Sequence, residues 1–265
     1  MIIDSHAHVM VPNEKQLYLM EQAGVDRTIL FTTTPHPEKA VNLVTFEQEI
    51  RLLFDILSGS RSLEERIASM RKNTAELCDT IKQYPERFLG FGPVPLGIGE
   101  QETAQWIDEN IIANGLIGVG EFSFASGSVY LLENVFKTLK VLGGLPVWIH
   151  TFHPLTLEDL NAIAELTGKY PEIPVILGHM GGTNWLDAIK LAKEQLNLYL
   201  DLSAAFTTIA PWLAIKELPE RCLFSSDAPY GNPLLVRKMV ETVSEDEKVA
   251  EMVLGGNIKR LLNME

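Results

Sequence analysis

Residues 147–150 read Val-Trp-Ile-His, and residues 175–179 read Val-Ile-Leu-Gly-His. Each run is short, almost continuously apolar, and ends in a histidine. Uninterrupted apolar runs are typical of parallel strands that are buried on both faces. Six further short runs, most of them also near-continuously apolar, complete a set of eight predicted strands, at Ile2–His8, Arg27–Thr33, Phe88–Pro93, Gly118–Phe122, Leu198–Leu202 and Leu223–Asp227.

Stretches with helical spacing alternate with these strands. They are predicted at Gln16–Ala23, Leu63–Gln83, Glu102–Ala113, Leu131–Leu142, Leu157–Thr167, Leu186–Gln195, Ile209–Lys216, Leu234–Val243 and, as a closing helix, Glu245–Asn263. Eight strand–helix units over about 250 residues predict an α/β fold, a single (β/α)₈ TIM barrel spanning residues 1–265. An open doubly wound sheet is the alternative, but His6-Ala7-His8 stands where its glycine-rich fingerprint would follow the first strand. The long interval Pro35–Arg61 is expected to be a loop that forms a lid or a subunit contact.

Composition narrows the possible partners and the cellular setting. The 265 residues include 22 Lys and Arg against 35 Asp and Glu, a net charge of −13, which argues against a nucleic-acid partner. No apolar stretch approaches the roughly 18 to 20 residues of a membrane span. Two cysteines are too few for a disulfide framework, so a reducing, cytoplasmic location is expected. The expected partner is a small-molecule substrate, and the chain is a candidate homodimer.

Histidines and carboxylates stand at the carboxyl ends of the predicted strands, where a barrel builds its active site. They are His6, His8, Glu121, His150, His179 and Asp227. Individually, each has an ordinary explanation, such as a hydrogen-bonded core histidine or a solvated loop carboxylate. Together, four imidazoles and two carboxylates converging on one barrel axis predict a divalent metal site. Zn²⁺ is the expected ion, as one or two ions.

Several motifs resemble the amidohydrolase superfamily, in particular its amidohydrolase-related (type 2) branch. They are Asp4-Ser5-His6-Ala7-His8, Pro85-Glu86-Arg87-Phe88, Gly178-His179-Met180-Gly181-Gly182, Ser225-Ser226-Asp227-Ala228-Pro229 and Leu254-Gly255-Gly256-Asn257. The ordered set spans almost the whole chain. The resemblance implies a metal-dependent TIM-barrel hydrolase in which His6, His8, His150 and Asp227 hold the metal and His179 serves catalysis.

Glu121 at the end of the fourth strand instead resembles the TatD-like deoxyribonucleases. That pattern implies two ions, with His6, His8 and Asp227 on one, His150 and His179 on the other, and Glu121 between them. The sequence slightly favours two ions.

The leading hypothesis is hydrolysis of a small amide, ester or lactone. A bound divalent ion lowers the pKa of its water towards ~7, and Asp227 can move the proton. His179, if it is not a ligand, can stabilise the developing oxyanion. Phe124, Thr151 and Tyr230 follow strand ends and are candidate substrate-binding residues.

Three alternatives remain. The first is non-hydrolytic decarboxylation of a small carboxylic acid, helped by an arginine reaching over from Arg51, Arg61 or Arg71. The second is a TatD-like phosphoesterase or nuclease, which the acidic charge disfavours. The third is a metal-binding protein without catalysis, in which an open coordination position would have no use.

Overall fold

A computed structural model describes residues 1–264 of the chain. The strands are β1 (Ile3–His8), β2 (Arg27–Phe31), β3 (Phe88–Gly92), β4 (Gly118–Phe122), β5 (Val147–His150), β6 (Val175–Gly178), β7 (Leu198–Asp201) and β8 (Cys222–Leu223). They form one sheet in the order β1 to β8, and each pairs in parallel with the next.

Backbone hydrogen bonds between β1 and the segment after β8 bring the two ends of the sheet together. Ser5 N donates to Phe224 O over 2.9 Å, and Asp227 N donates to His6 O over 2.8 Å. An isolated parallel bridge joins Ala7 to Ala228. The α/β fold with a nearly closed TIM barrel, predicted from the sequence, is therefore confirmed.

The helices surround this barrel. They are α1 (Asn13–Ala23), α2 (Leu43–Leu57), α3 (Leu63–Gln83), α4 (Glu100–Asn110), α5 (Glu133–Leu142), α6 (Leu157–Lys169), α7 (Trp185–Glu194), α8 (Ile209–Glu217), α9 (Pro233–Val243), α10 (Glu247–Glu251) and α11 (Asn257–Leu261). Short 3₁₀ segments lie at Pro37–Lys39, Ile112–Asn114 and Val129–Leu132, and a π-helical turn at Met252–Gly256 joins α10 to α11. Residues His179–Asn184 form a tight turn with left-handed backbone at Met180 and Gly181.

Three predicted elements differ from the structure. The segment 35–61 is not a plain loop, because α2 begins within it, where Asn42 and Thr45 cap each other's backbone amides. The eighth strand is two residues long, since the chain beyond it turns towards β1 and Asp227 adopts a left-handed backbone conformation. The closing helix is interrupted by the π-helical turn, where Gly255 packs against the backbone of Met1 so closely that a Cβ would collide.

The core has two layers. Alternate strand residues such as Leu30, Val147 and Leu177 face the surrounding helices. The other strand residues fill the barrel interior, where Phe31, Phe91 and Trp148 form its aromatic centre.

Trp148 needs two glycines beside it. A Cβ at Gly120 would lie 2.6 Å from the Trp148 carbonyl oxygen, and a Cβ at Gly178 would lie 2.8 Å from its Nε1. Each glycine immediately precedes a polar side chain at the barrel mouth, Glu121 or His179. These close contacts with residue 148 require glycine on β4 and β6 directly before those two side chains.

Among the described residues, no helix combines the length and the apolar character that crossing a bilayer requires.

Candidate active site

The six predicted polar residues meet at the carboxyl ends of the strands. His6 and His8 lie on β1, Glu121 on β4 and His150 on β5, while His179 and Asp227 follow β6 and β8. All six are buried or nearly so. The alternation of side chains along β1 sends His6 and His8 to the same face, and the barrel brings the other four towards them.

The first group consists of His6, His8 and Asp227, whose nearest polar atoms all lie within 4.8 Å of one another. Asp227 Oδ1 lies 3.2 Å from His8 Nε2 and 3.8 Å from His6 Nε2. Glu121 Oε2 faces the same pair, 3.6 Å from His8 Nε2 and 3.7 Å from His6 Nε2. Two imidazole nitrogens and two carboxylate oxygens therefore surround one small space.

The second group consists of Glu121, His150 and His179. Glu121 Oε1 lies 2.8 Å from His150 Nδ1 and 3.3 Å from His179 Nε2. The outer nitrogens are also engaged, since His150 Nε2 lies 3.1 Å from the His153 carbonyl oxygen and His179 Nδ1 lies 2.8 Å from Ser203 Oγ. Glu121 thus stands between the two groups with one oxygen towards each, the placement that the TatD-like pattern implied.

Two of these residues are held in an unusual backbone conformation. His179 has φ of 62° and Asp227 has φ of 56°, in the left-handed region that non-glycine residues seldom adopt. Such residues persist only where their surroundings hold them, and they concentrate at functional sites. The bond from Asp227 N to His6 O holds one of them against β1.

Asp201 is a member of this site that the sequence reasoning did not single out. It ends β7, its Oδ2 lies 2.9 Å from His6 Nδ1, and its Oδ1 accepts the Ser203 backbone N–H over 2.5 Å. The signal was present, because Leu198-Tyr199-Leu200-Asp201 is another apolar strand that ends in a charged residue.

The cluster stabilises opposite charges on its imidazoles and carboxylates. Burial alone would lower the pKa of His6, but Asp201 and the charge of Glu121 outweigh it and raise that pKa well above its ordinary value. Burial would likewise lower the pKa of His179, yet Glu121 and the aspartates raise it. Burial acts to raise the pKa of Glu121 and of Asp227, but the imidazoles beside them lower both, that of Glu121 strongly.

These residues fit a divalent metal ion. His6 Nε2 is buried and has no hydrogen-bond partner among residues 1–264, although it faces the oxygens of Glu121 and Asp227. A buried imidazole nitrogen without a partner costs free energy, whereas a cation among these donors would satisfy it. Histidine and carboxylate are the donor types that Zn²⁺ and the neighbouring first-row ions take. The structure therefore contains a candidate divalent-metal site.

A cavity of about 740 Å³ opens above the cluster. His8, Glu121, His150, His179 and Asp227 contribute to its lining. Its wall is largely apolar, with side chains from α2, α3 and the loops after β3, β4 and β5, among them Leu53, Phe54, Leu57, Met70, Leu96, Phe124, Leu131 and Phe152. Mostly apolar cavities with a few convergent polar groups are typical of small-molecule sites.

The candidate substrate-binding residues have different positions. Phe124 and Tyr230 line the cavity, and the Tyr230 ring packs edge-on against His8 with centroids 5.9 Å apart. Thr151 is fully buried and is not among the lining residues, because its hydroxyl donates to Gly178 O and accepts the Gly181 N–H.

The three candidate arginines also differ in position. Arg61 lines the cavity, whereas Arg51 and Arg71 do not, and Arg71 stacks over the Trp106 ring at 5.3 Å. Arg66, which the sequence reasoning passed over, is the second arginine in the wall.

A TIM barrel with buried histidines and aspartate at the carboxyl ends of its strands defines a metal-dependent barrel enzyme. The family model described as Amidohydrolase (Amidohydro_2) matches residues 3–264. The chain belongs to this family. No curated protein matches it.

Three solved structures illustrate its likeness to known barrels. A 2,6-dihydroxybenzoate decarboxylase from Rhizobium is 17% identical, with a TM-score of 0.73 over 99% of this chain and 98% of that one. A 5-carboxyvanillate decarboxylase from Sphingomonas paucimobilis is 17% identical, with a TM-score of 0.71 over 100% and 99%. A dihydroxybenzoic acid decarboxylase from Polaromonas sp. JS666, solved with manganese and the inhibitor 2-nitroresorcinol, is 19% identical, with a TM-score of 0.70 over 99% and 97%. At these identities the likeness establishes the fold.

Proposed function

We propose that this protein is a metal-dependent, non-hydrolytic decarboxylase of a small aromatic carboxylic acid. The observation that carries the proposal is the opening of a buried histidine and carboxylate cluster onto a largely apolar cavity of about 740 Å³. That volume and lining suit a single aromatic ring with a few polar substituents. Three solved decarboxylases of aromatic acids share the fold over nearly the whole chain, which supports this alternative over hydrolysis, the leading hypothesis from the sequence.

In this proposal one ion is held by His6, His8 and Asp227, with His150 and Glu121 beside them. Among the described residues, His6 Nε2 is buried and has no hydrogen-bond partner. The ring nitrogens of His150 and His179, by contrast, are already hydrogen-bonded. We therefore expect one tightly held ion rather than the two that the sequence slightly favoured. When bound, it supplies a Lewis acid that binds and polarises substrate oxygen atoms.

The chain's own residues then supply the one proton that the reaction requires. Decarboxylation breaks the bond between the ring carbon and the carboxylate carbon, leaves the electron pair on the ring carbon and releases CO₂. A proton must be placed on that carbon in exchange. We assign its delivery to His179, which lines the cavity, is held through Nδ1 by Ser203 and carries a raised pKa. Asp227, which also lines the cavity, has a lowered pKa and is better suited to binding the ion.

The test is turnover of a panel of hydroxybenzoic and benzenedicarboxylic acids by Mn²⁺- and Zn²⁺-loaded protein in D₂O. Decarboxylation releases CO₂ and places one deuterium on the ring carbon that carried it. We expect His179→Gln to lower kcat by about 10² or more while the metal content is retained. His153→Gln is the matched control, because His153 lines the cavity outside the cluster and is exposed. CO₂ release that survives His179→Gln would contradict the assignment.

Hydrolysis of a small amide, ester or lactone is the second candidate. The observation that favours it is the position of Glu121, which contacts His150 through one carboxylate oxygen and faces His8 with the other, an arrangement suited to two ions. The two functions differ in H₂¹⁸O, since hydrolysis adds one ¹⁸O atom to the product and decarboxylation adds none to the ring. Incorporation of ¹⁸O without CO₂ release would replace the first proposal by the second.

A further inference from the structure

Two arginines stand in the wall of the cavity. Arg61 lies just before α3 and Arg66 lies in the first turns of that helix. Within the described chain they are the only Lys or Arg side chains that line the cavity. Both are half-buried, and the buried part of a cation in a largely apolar wall is stabilised when a negative group meets it.

Neither arginine is paired with a carboxylate of the described chain. The ion pairs there include neither Arg61 nor Arg66, although acidic residues outnumber basic ones by 35 to 22. Glu65, which is next to Arg66 in the sequence, instead accepts hydrogen bonds from the Ser62 amide and hydroxyl, both over 2.9 Å. Glu65 is thus engaged in capping the helix; the hydrogen bonds from Ser62 lower its pKa, with a smaller contribution from the charge of Arg61.

These guanidinium groups make few hydrogen bonds, and the acceptors are uncharged. Arg61 Nη2 donates to Ser69 Oγ over 2.9 Å, and Arg66 Nη2 donates to the Leu96 carbonyl oxygen over 3.3 Å. Arg66 Nε is buried and has no hydrogen-bond partner in the part of the chain that the structure describes. A guanidinium has five N–H donors arranged to bind a carboxylate in a bidentate manner, and most of this capacity is unused in Arg66.

The negatively and positively charged side chains of the cavity therefore belong to different parts of its lining. Glu121 and Asp227 belong to the metal cluster, and Arg61 and Arg66 to the α3 wall. Apolar side chains such as Met70 make up much of the remaining lining. A substrate with one carboxylate would engage the ion and leave the arginines unsatisfied, whereas a second carboxylate would engage both.

We propose that Arg66, with Arg61 beside it, binds a second carboxylate of the substrate, so that the preferred substrate is an aromatic dicarboxylic acid. This inference rests on the proposed function for the identity of the first carboxylate. It makes Arg66 a specificity-determining residue, because the bidentate bond discriminates dianionic from monoanionic ligands of the same ring size.

The test measures binding rather than turnover, by calorimetric titration of Mn²⁺-loaded protein with benzoate and with the three benzenedicarboxylates. We expect the best dicarboxylate to bind at least about tenfold more tightly than benzoate, as a charge-assisted pair implies. Arg66→Gln should bring that ratio close to one. Arg51→Gln is the control, since Arg51 is exposed on α2 and does not line the cavity.

Two results would overturn the inference. One is the absence of any dicarboxylate preference in the wild type, and the other is a preference that survives both Arg66→Gln and Arg61→Gln. If Arg66→Gln does not fold, Arg66→Lys replaces it, because lysine keeps the positive charge but lacks the planar guanidinium. A dicarboxylate-to-benzoate affinity ratio that is undiminished in Arg66→Lys would also overturn the inference. Dicarboxylate preference without CO₂ release from any acid would reject the decarboxylase proposal and leave the arginine site standing.

Discussion

The Nδ1 atom of His6 lies 2.9 Å from the Oδ2 atom of Asp201, and neither side chain has any surface exposed to solvent. A carboxylate oxygen accepts a hydrogen bond, so this contact keeps a proton on Nδ1. In the neutral imidazole that a metal ion requires, the lone pair of Nε2 then faces Asp227 and Glu121. The other oxygen of Asp201 accepts the amide of Ser203, whose hydroxyl in turn contacts His179. One aspartate thus orients side chains in both halves of the cluster.

Asp201→Asn is expected to weaken metal binding about 10- to 100-fold, the usual effect of losing a residue that orients a ligand histidine. Asparagine can keep the bond from Ser203 through its oxygen, but its amide then donates to His6 Nδ1 and forces the proton onto Nε2. Competition with a chromogenic chelator measures the Kd. Asp187→Asn is the matched control, because Asp187 is paired with Lys190 on the surface. Equal affinities of Asp201→Asn and the wild type would show that this bond does not set the tautomer.

Metal stoichiometry is expected to be near one ion per chain in the wild type and in Glu121→Gln, and near zero in His8→Gln. The reason is that His6 Nε2 in the first group is unsatisfied, whereas Glu121 already bonds His150. Elemental analysis of untagged protein after dialysis measures it. Two ions in the wild type, falling to one in Glu121→Gln, would contradict the one-ion arrangement and favour the hydrolytic candidate.

The barrel was predictable because its strands are short apolar runs with clear ends. Strands β4 and β5 begin and end at the predicted residues, where Gly118 and Pro146 mark the boundaries. Helix α2 was not predicted, since a segment between strand and helix was interpreted as a loop despite the mutual capping of Asn42 and Thr45. The capping interaction starts a helix in a segment whose length had suggested a loop.

The site was partly predictable for the same reason. An apolar strand that ends in His or Asp indicates a buried polar group that needs a partner. This pattern identified His150 and would also have identified Asp201. It does not apply to Arg66, which lies on a helix beside two glutamates and has the sequence surroundings of a surface residue. Which arginine reaches the cavity depends on how α3 packs over the barrel, and no local pattern encodes that packing.

The metal-free protein is expected to lose thermal stability as the pH rises above the ordinary histidine pKa of about 6.5. The pKa values of His6 and His179 are raised in the folded state, so their contribution is complete below the ordinary histidine pKa and disappears as the pH passes the folded values. The lowered pKa values of Glu121 and Asp227 add stability that is lost only on acidification. Differential scanning calorimetry in the presence of a chelator measures the Tm.

The metal-loaded protein is the control for that pH series. A bound ion requires neutral imidazoles, so metal affinity should increase over the same pH range and offset the loss. The Tm of the loaded protein should therefore change less with pH than that of the metal-free protein. A metal-free Tm that rises with pH would show that the histidines are not protonated in the folded chain.

Asp159 is expected to hold part of the cavity wall in place. Its carboxylate accepts hydrogen bonds from Ser126 Oγ (2.5 Å), the Gly127 amide (2.7 Å) and the amide of Thr156 (2.8 Å), and Ser126 and Gly127 lie in the loop that follows Phe124. Burial opposes ionisation, but these donors outweigh it and lower the pKa of Asp159. Asp159→Asn should cost about 1–3 kcal/mol, because an amide NH₂ would then face several donors.

The pH dependence of that cost tests its origin. A carboxyl group with a lowered folded pKa contributes stability above its unfolded pKa of about 4, and the contribution disappears as the pH falls through the folded value. The difference between wild type and Asp159→Asn should therefore be largest near neutral pH and shrink towards roughly pH 3. Urea denaturation at the two pH values measures it, with Glu158→Gln as the control, since Glu158 is exposed in the same helical turn. An unchanged difference in acid, or an equal loss in Glu158→Gln, would mean that the ionised carboxylate of Asp159 is not what holds this loop against α6.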